Sequence, residues 1–511
     1  MLSGERPFTG GTAQAVLARR FTETARPLRT VRGTIPEYVE RAVSRAMSTE
    51  VVSRFPTAAM FAQALGSGLT TPTDQQSMPQ PAVSAAKSVA VLPFANMSAD
   101  PENEYFTDGM AEEIINALTK IQSLRVASRT SSFAFKGKNE DIGEIGRKLK
   151  VSTVLEGSVR KMGNRLRITA QLVNVADGYH LWSERYDREM EDVFAIQDDI
   201  SQAIVKALRV ILSEGEKKQI EKARAVNVQA YDYYLRGRQY FHQLRRKSLE
   251  YARQMFNRAI EIDPDYSRAH AGVADCCSML YTYFDAREFN LRQADIASQK
   301  ALELEPELAE SHVARGLAVS LSKRFDEAER EFETAMRLDP KSFEATYGFG
   351  RARLSQGRYE EAAKLFDRAS LLRPEDYQAV GMLAQAYAAL GKTSESEDGY
   401  RRQIRLVEQQ LELTPDDARA CIFAAIAHSV LREVDKSLQY AERGLSIDPD
   451  DPMLLYNVAC VYAQLDKEED ALACLERAVD KGFGHKEWIE HDPDLCSIRD
   501  SARFKAITQA M

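Results

Sequence analysis

Apolar residues along this 511-residue chain follow two rhythms, one on each side of about residue 220. Between 87 and 213 the period keeps changing. The run SVAVLPF at 88–94 is short and almost wholly apolar, as suits a buried strand. Tyr105–Ile121 has helical spacing through Met110, Ile114, Ile115 and Leu118. A second short strand is predicted at Leu124–Ala127, then a helix over Asp141–Leu149. Alternation marks a hairpin: Val154–Met162, a turn at Gly163-Asn164, then Leu166, Ile168, Ala170 and Leu172 between Arg165, Arg167, Thr169 and Gln171. Asp177-Gly178 turns the chain into a further strand at Tyr179–Tyr186. Val193, Ile196, Ile200, Ile204 and Leu208 complete the segment as an amphipathic helix. The order β-α-β-α-β-β-β-α predicts a small α/β layer structure.

Beyond residue 229 only the helical rhythm remains, and prolines punctuate it. Pro264, Pro306, Pro340, Pro374, Pro415 and Pro449 are spaced by 42, 34, 34, 41 and 34 residues. Proline ends a helix because it lacks an N–H donor and clashes with the preceding turn. Before Pro340 stand Gly316, Ala328, Phe332 and Ala335; Gly350, Ala362, Phe366 and Ala369 hold the same offsets before Pro374. Small residues let paired helices approach, and the phenylalanine fills the gap to the next pair. This pattern resembles the tetratricopeptide repeat, which implies an all-α solenoid that binds other proteins. Seven repeats are expected over 229–483. The second carries an insertion near Phe284–Asn290, and the fifth a seven-residue extension of its second helix. Phe483 stands where the seventh proline would be, and 484–511 reads as a helical cap over the exposed end of the array.

Two other segments bring resemblances. SVAVLPFANMSADPENEYFTDGMAEEIINAL, VLEGSVRKMGNRLRITAQLVNVADGYHLWSERYD and VFAIQDDI are similar to the TolB amino-terminal-like domain, covering nearly all of 87–213. That family implies no catalytic residues. MLSGERPFTGGTAQAVLARRF, IPEYVERAVSRAMS and SRFPTAAMFAQAL, within residues 1–66, resemble the last third of a bacterial serine/threonine protein kinase C-lobe. Three short helices are predicted there, at Thr12–Phe21, Pro36–Met47 and Thr57–Leu65. Arg54 matches the family's buried arginine, whose partner in the A-P-E motif would lie before Met1. Residues 67–86, rich in Ser, Thr, Pro and Gln, read as a linker. The expected fold class is therefore multidomain: a kinase-like helical remnant, a small α/β domain and an all-α solenoid.

Phosphoryl transfer needs a Gly-rich loop, a strand lysine, the H-R-D aspartate and the D-F-G metal ligand, and none occurs in the 511 residues. No catalytic residue, metal or cofactor is expected. Adjacent carboxylates at Glu112-Glu113 and Asp198-Asp199 read as solvated helix faces. His180 and Trp182 share one strand face and read as packing. The six cysteines form no C-x-x-C pair and read as buried thiols of a reducing compartment. A net charge of −8 disfavours nucleic acid as a partner, and no apolar run is long enough to span a bilayer. The start has no signal-peptide layout, so the expected location is cytoplasmic.

The resemblance to the repeat family also implies where a partner sits. Positions 2, 5 and 9 of each repeat's first helix line the concave groove. They are Glu310, Val313 and Leu317; Glu344, Tyr347 and Arg351; Gln378 and Gln385; Arg419, Ile422 and Ile426; and Tyr456 and Cys460. Aromatic, aliphatic and isolated charged side chains in one groove suit an extended peptide or a helix. The function expected from the sequence is a non-catalytic interaction scaffold in bacterial signalling. The competing reading is the C-terminal regulatory part of a serine/threonine kinase whose catalytic half lies in a longer gene.

Overall fold

The computed structural model describes residues 27–48, 55, 61, 62, 64, 65, 87–210, 212 and 227–511. It divides into two units, Met1–Ser84 and Ala85–Met511. In the first, helices α1 (Leu28–Val31) and α2 (Glu37–Ala46) are described, and Pro36 precedes α2 as its cap residue. The predicted helix at 12–21 and the position of Arg54 lie outside the described residues.

The second unit opens with a mixed sheet and its helices. In chain order these are β1 (Ser88–Val91), β2 (Ala95–Asn96), α3 (Glu104–Thr119), β3 (Arg125–Val126), α4 (Arg129–Phe133) and α5 (Ile142–Leu149). The hairpin strands β4 (Thr153–Met162), β5 (Arg165–Asn174) and β6 (His180–Glu189) follow, then α6 (Val193–Ala207). The sheet order is β3-β1-β4-β5-β6, with β2 also paired to β4. β1 runs parallel to both β3 and β4, while β4, β5 and β6 are antiparallel neighbours. The central strand β1 is buried on both faces. Val89 and Val91 pack with α3 and α6 residues, whereas Ala90 and Leu92 pack with Phe135 and Ile145. This explains its unbroken apolar run. The predicted strand stops short at Val91, because Pro93 has no N–H to continue the ladder. Gly163, at φ 60°, opens the two-residue turn between β4 and β5, a conformation that favours glycine there.

Seven helix pairs follow: α7 (Val228–Phe241) and α8 (Arg246–Ile262); α9 (Ser267–Tyr283) and α10 (Glu288–Leu304); α11 (Ala309–Leu321) and α12 (Phe325–Leu338); α13 (Phe343–Ser355) and α14 (Tyr359–Leu372); α15 (Tyr377–Ala389) and α16 (Thr393–Leu413); α17 (Ala418–Val430) and α18 (Val434–Ile447); α19 (Pro452–Gln464) and α20 (Glu468–Asp480). The repeat glycines and phenylalanines meet as their spacing requires. Phe256 lies between the backbones of Gly237 and Gly272, Phe332 between Gly316 and Gly348, and Phe366 against Gly350. A short helix α21 (Lys486–His491) and the last helix α22 (Ala502–Ala510) cover the end of the array. Ile489, Leu495, Ile498, Phe504 and Ile507 join the core of the last pair.

Two spacings longer than 34 residues are absorbed differently. The fifth pair lengthens its second helix: α16 has 21 residues where α14 has 14. The second pair lengthens both helices, with α9 and α10 each of 17 residues against 13 and 14 in α11 and α12. Four extra residues make about one more helical turn. The added turn of α9 ends at Tyr283.

Candidate functional site

That extra turn carries the end of α9 across to the far side of the array. The Nε2 of His485, just beyond the seventh pair, lies 3.0 Å from the Tyr281 carbonyl oxygen and 3.1 Å from that of Thr282. As the protonated ring nitrogen it donates to both. Carbonyls in the last turn of a helix lack intrahelical partners, so His485 satisfies groups the extra turn exposes. Lys323 pairs with Glu487 at 2.6 Å alongside. The array therefore turns back on itself, and the first helices of its pairs face one another across an inner wall.

Tyr283 stands at the centre of that wall. Arg351 Nη1, from α13, donates to its phenol oxygen at 3.1 Å. The Arg419 guanidinium, from α17, lies 4.7 Å from the centre of its ring. Three helices from the second, fourth and sixth pairs thus converge on one phenol. Burial would raise the Tyr283 pKa, but Arg351 and Arg419 outweigh it and hold it below the ordinary tyrosine value. Tyr347 stacks on Phe343 with ring centres 5.4 Å apart. Glu344 accepts from Arg373 Nη2 at 2.6 Å, and Arg373 lies over Phe343 at 4.2 Å. Glu310 is open to water within the concavity. The protein walls around the concavity would raise its carboxyl, but the charges of Arg268 and Lys120 outweigh this and pull it below its usual value.

Of the residues expected in a groove, Glu310, Glu344, Tyr347, Arg351 and Arg419 therefore share one charged and aromatic inner surface. Gln378 is half-buried in the first turn of α15, and Gln385 is exposed two turns later. Tyr456 is placed differently. It is 5 % exposed, donates its phenol proton to Asp492 and stacks on Phe483 at 4.3 Å, beneath the C-terminal segment. Its neighbour Cys460 belongs to the same buried group, in which Cys460, Asp492 and Asp494 bring ligand-type atoms within 4.8 Å of one another. Those groups already engage each other and the backbone: Asp492 also accepts from the Asp494 N–H at 2.9 Å. Tyr283, Arg373 and Arg268 complete the inner surface and were not foreseen. The 42-residue proline spacing was the available signal for Tyr283.

A second polar cluster joins the α/β domain to the repeats. Gly109 lets α3 approach α7, since a Cβ there would lie 2.6 Å from Leu235. Beside this contact Glu112 is buried, which corrects the expectation of a solvated Glu112-Glu113 face. Glu112 accepts from Arg129 Nε at 2.9 Å, Arg238 Nε at 2.9 Å and Arg238 Nη2 at 2.5 Å, with His242 Nε2 at 3.0 Å. Burial alone would raise its carboxyl; Arg238, His242 and Arg129 hold it well below its usual value. The same burial, with Arg129 and Arg238 adding to it, lowers His242 to about 4 against the pull of Glu112. Glu113 pairs with Arg268 at 2.9 Å. Asp232 of α7 binds Lys161 at 2.8 Å, Arg236 at 3.1 Å and the Tyr105 hydroxyl. Further along the array, Lys341 Nζ donates to the carbonyls of Ile121 at 2.7 Å and Gln122 at 2.9 Å, and Lys138 to that of Leu413 at 2.6 Å. The α/β domain is thus tied to helices and inter-repeat turns from the first pair to the fifth.

Comparison with known proteins agrees with the repeat architecture. Tetratricopeptide-repeat family models match residues 321–380, 353–403 and 454–480. Residues 85–206 match the family described as "HilA/YgeH-like transcriptional regulator, second domain". "Putative adenylate cyclase 3" of Rhizobium meliloti (strain 1021) is 45 % identical over 253 residues, 49 % of this chain. The match spans 43 % of that relative's length, so the chain corresponds to less than half of it. Among solved structures, YrrB, "a TPR protein with an unusual peptide-binding site", is 23 % identical with a TM-score of 0.25, over 37 % of this chain and 94 % of that one. A tetratricopeptide repeat protein from Parabacteroides merdae ATCC 43184 is 14 % identical with a TM-score of 0.36, over 55 % and 100 %. Among the described residues no helix is long and apolar enough to cross a membrane. The second half of the chain is a tetratricopeptide-repeat array, an architecture whose general role is to hold protein partners.

Proposed function

We propose that this chain is a non-catalytic interaction and regulatory module of a bacterial signalling protein, which holds an extended protein segment against the inner wall of its repeats in the cytoplasm. The observation that carries this reading is the convergence of Arg351, Arg419 and Tyr283, from three different helix pairs, on one partly exposed point of that wall. Peptides are recognised by such mixtures of aromatic faces and fixed donors. The α/β domain's likeness to a HilA/YgeH-like second domain and to the TolB-like group supports a regulatory role for it. A photo-crosslinker at Gln385, exposed at an expected groove position of α15, tests the reading. It should join a partner in cells, the yield should fall in an Arg351→Glu variant, and a crosslinker at the outward Lys364 should not join that partner. Partner capture only from Lys364 overturns it.

A second reading rests on the relative's name and on the kinase-like motifs within residues 1–66. Here the same module is the regulatory arm of a longer nucleotide-using enzyme. Reading the gene in frame upstream of codon 1 separates the two: the second reading expects a nucleotide-using catalytic domain encoded there, and the first does not.

A further inference from the structure

Several arginines on the interior of this unit are held by carboxylates. Arg238 has Glu112, Arg268 has Glu113, Arg315 has Asp295 and Glu327, and Arg373 has Glu344. Arg351 and Arg419 differ. Among the described residues, no carboxylate oxygen lies within salt-bridge distance of either; their close contacts are the Tyr283 hydroxyl and the Tyr283 ring. The acids that influence Arg419 electrostatically are Asp451 and Asp417. Each is a helix cap: Asp451 accepts from the Leu454 N–H at 2.8 Å, and Asp417 from the Ala420 N–H at 2.9 Å and from Gln410. Tyr283 and Tyr347 are the groups acting on Arg351. Both arginines keep part of their surface open.

We propose that Arg351 and Arg419 form an oxyanion-binding pair on the inner wall, which takes a carboxylate or phosphate group carried by the bound peptide while Tyr283 holds the two guanidinium groups in place when the wall is empty. This rests on the inner-wall reading above and names the chemistry of its ligand. A neutral phenol is a weak partner for a guanidinium, whereas an oxyanion makes charge-assisted, bidentate bonds to it. Two guanidinium groups beside one phenol therefore leave room for a stronger acceptor. The half-buried ring of Tyr347, backed by Phe343, gives the flanking residues of a peptide an apolar face.

Calorimetric titration of the full chain tests this with inorganic phosphate, an acetylated and C-terminally amidated hexaglutamate, the same peptide with one phosphoserine, and an acetylated and amidated hexaglutamine, which carries no charge. The anionic probes should bind and hexaglutamine should not. The two anionic peptides show whether carboxylate or phosphate is preferred. Arg351→Gln and Arg419→Gln should each weaken anion binding about tenfold or more, and Arg351→Lys, which keeps the charge but loses the fork, should fall between. Anion binding should also raise the Tyr283 titration, read as tyrosinate absorbance that a Tyr283→Phe variant lacks. Equal binding of hexaglutamine and hexaglutamate to the inner wall overturns the oxyanion pair but leaves the peptide-binding reading intact. Phosphate binding lost in both Gln variants, with no peptide bound, keeps the pair and removes the peptide reading. Anion binding unchanged in folded Gln variants overturns the pair outright.

Discussion

Glu112 and Arg238 lie 126 positions apart in the chain, yet the carboxylate of one accepts the Nε–H of the other at 2.9 Å, in a site where the Glu112 side chain is 5 % exposed. The pair belongs to two different layers of the molecule, α3 of the α/β domain and α7 of the first repeat. A buried carboxylate with three cationic or proton-donating neighbours cannot be removed piecemeal without leaving charge unpaired. Glu112→Gln should therefore destabilise the unit by about 3–5 kcal/mol. A double-mutant cycle with Arg238→Gln should give a coupling of about 1 kcal/mol or more. Urea unfolding of the four proteins checks both figures, and additive effects would exclude a direct pair.

The same cluster makes stability depend on pH. The folded pKa of His242 is depressed to about 4, so between its ordinary 6.5 and that value the unfolded chain binds more protons than the folded one. Stability from this group is complete above pH 6.5 and is lost as pH falls through 4. Glu112, also depressed, acts in the same direction at lower pH. The groups facing the imidazole are Glu112, Arg129 and Arg238. His242→Gln keeps a donor for Glu112 but cannot titrate. Its melting temperature should fall less than the wild type's between pH 7 and pH 4.5, and parallel curves would remove His242 from this role.

Repeat packing predicts a graded response to small additions. Adding a Cβ at Gly237 would bring it within 2.5 Å of the Phe256 ring, whereas the same addition at Gly316 comes to 3.0 Å of Phe332. Both rings are fully buried and have little space in which to move. Gly237→Ala should lower the melting temperature more than Gly316→Ala. Phe256→Ala should cost about 3–5 kcal/mol, through the cavity it leaves. Equal effects of the two alanines would mean that the ring at Gly237 relaxes freely.

Most of the secondary structure was legible because periodicity reports burial directly. Alternation in β5 places Leu166, Ile168, Ala170 and Leu172 in the core, and the proline spacing places the helix pairs. Helix α4 was missed because five residues are too few to show a period; its visible mark is Ser128, whose side chain caps the Ser131 N–H. Glu112 was misread for a different reason. Two adjacent glutamates on a helix look solvated until the partner helix is known, and Arg238 is distant in sequence. Tyr456 occupies a groove position by count, but the count takes no account of the segment that folds over the last pair. Tyr283 lies outside every regular repeat position, and only its extra turn brings it to Arg351 and Arg419.

Asp275 carries the opposite pH sign to His242, although it faces the same arginine. Burial raises its carboxyl to about 7, with Glu344 adding to the rise and Arg238 opposing it. Between the ordinary carboxyl value of 3.8 and 7, the folded chain binds more protons than the unfolded one, so this group's contribution to stability falls as pH rises through that window. Asparagine at 275 preserves shape and cannot ionise. Relative to wild type, Asp275→Asn should therefore gain stability between pH 4 and pH 8, by at most about 4 kcal/mol. Melting temperatures of both proteins at the two pH values check the sign. A difference that stays constant, or that shrinks as pH rises, would mean that Arg238 stabilises the Asp275 carboxylate enough to offset its burial.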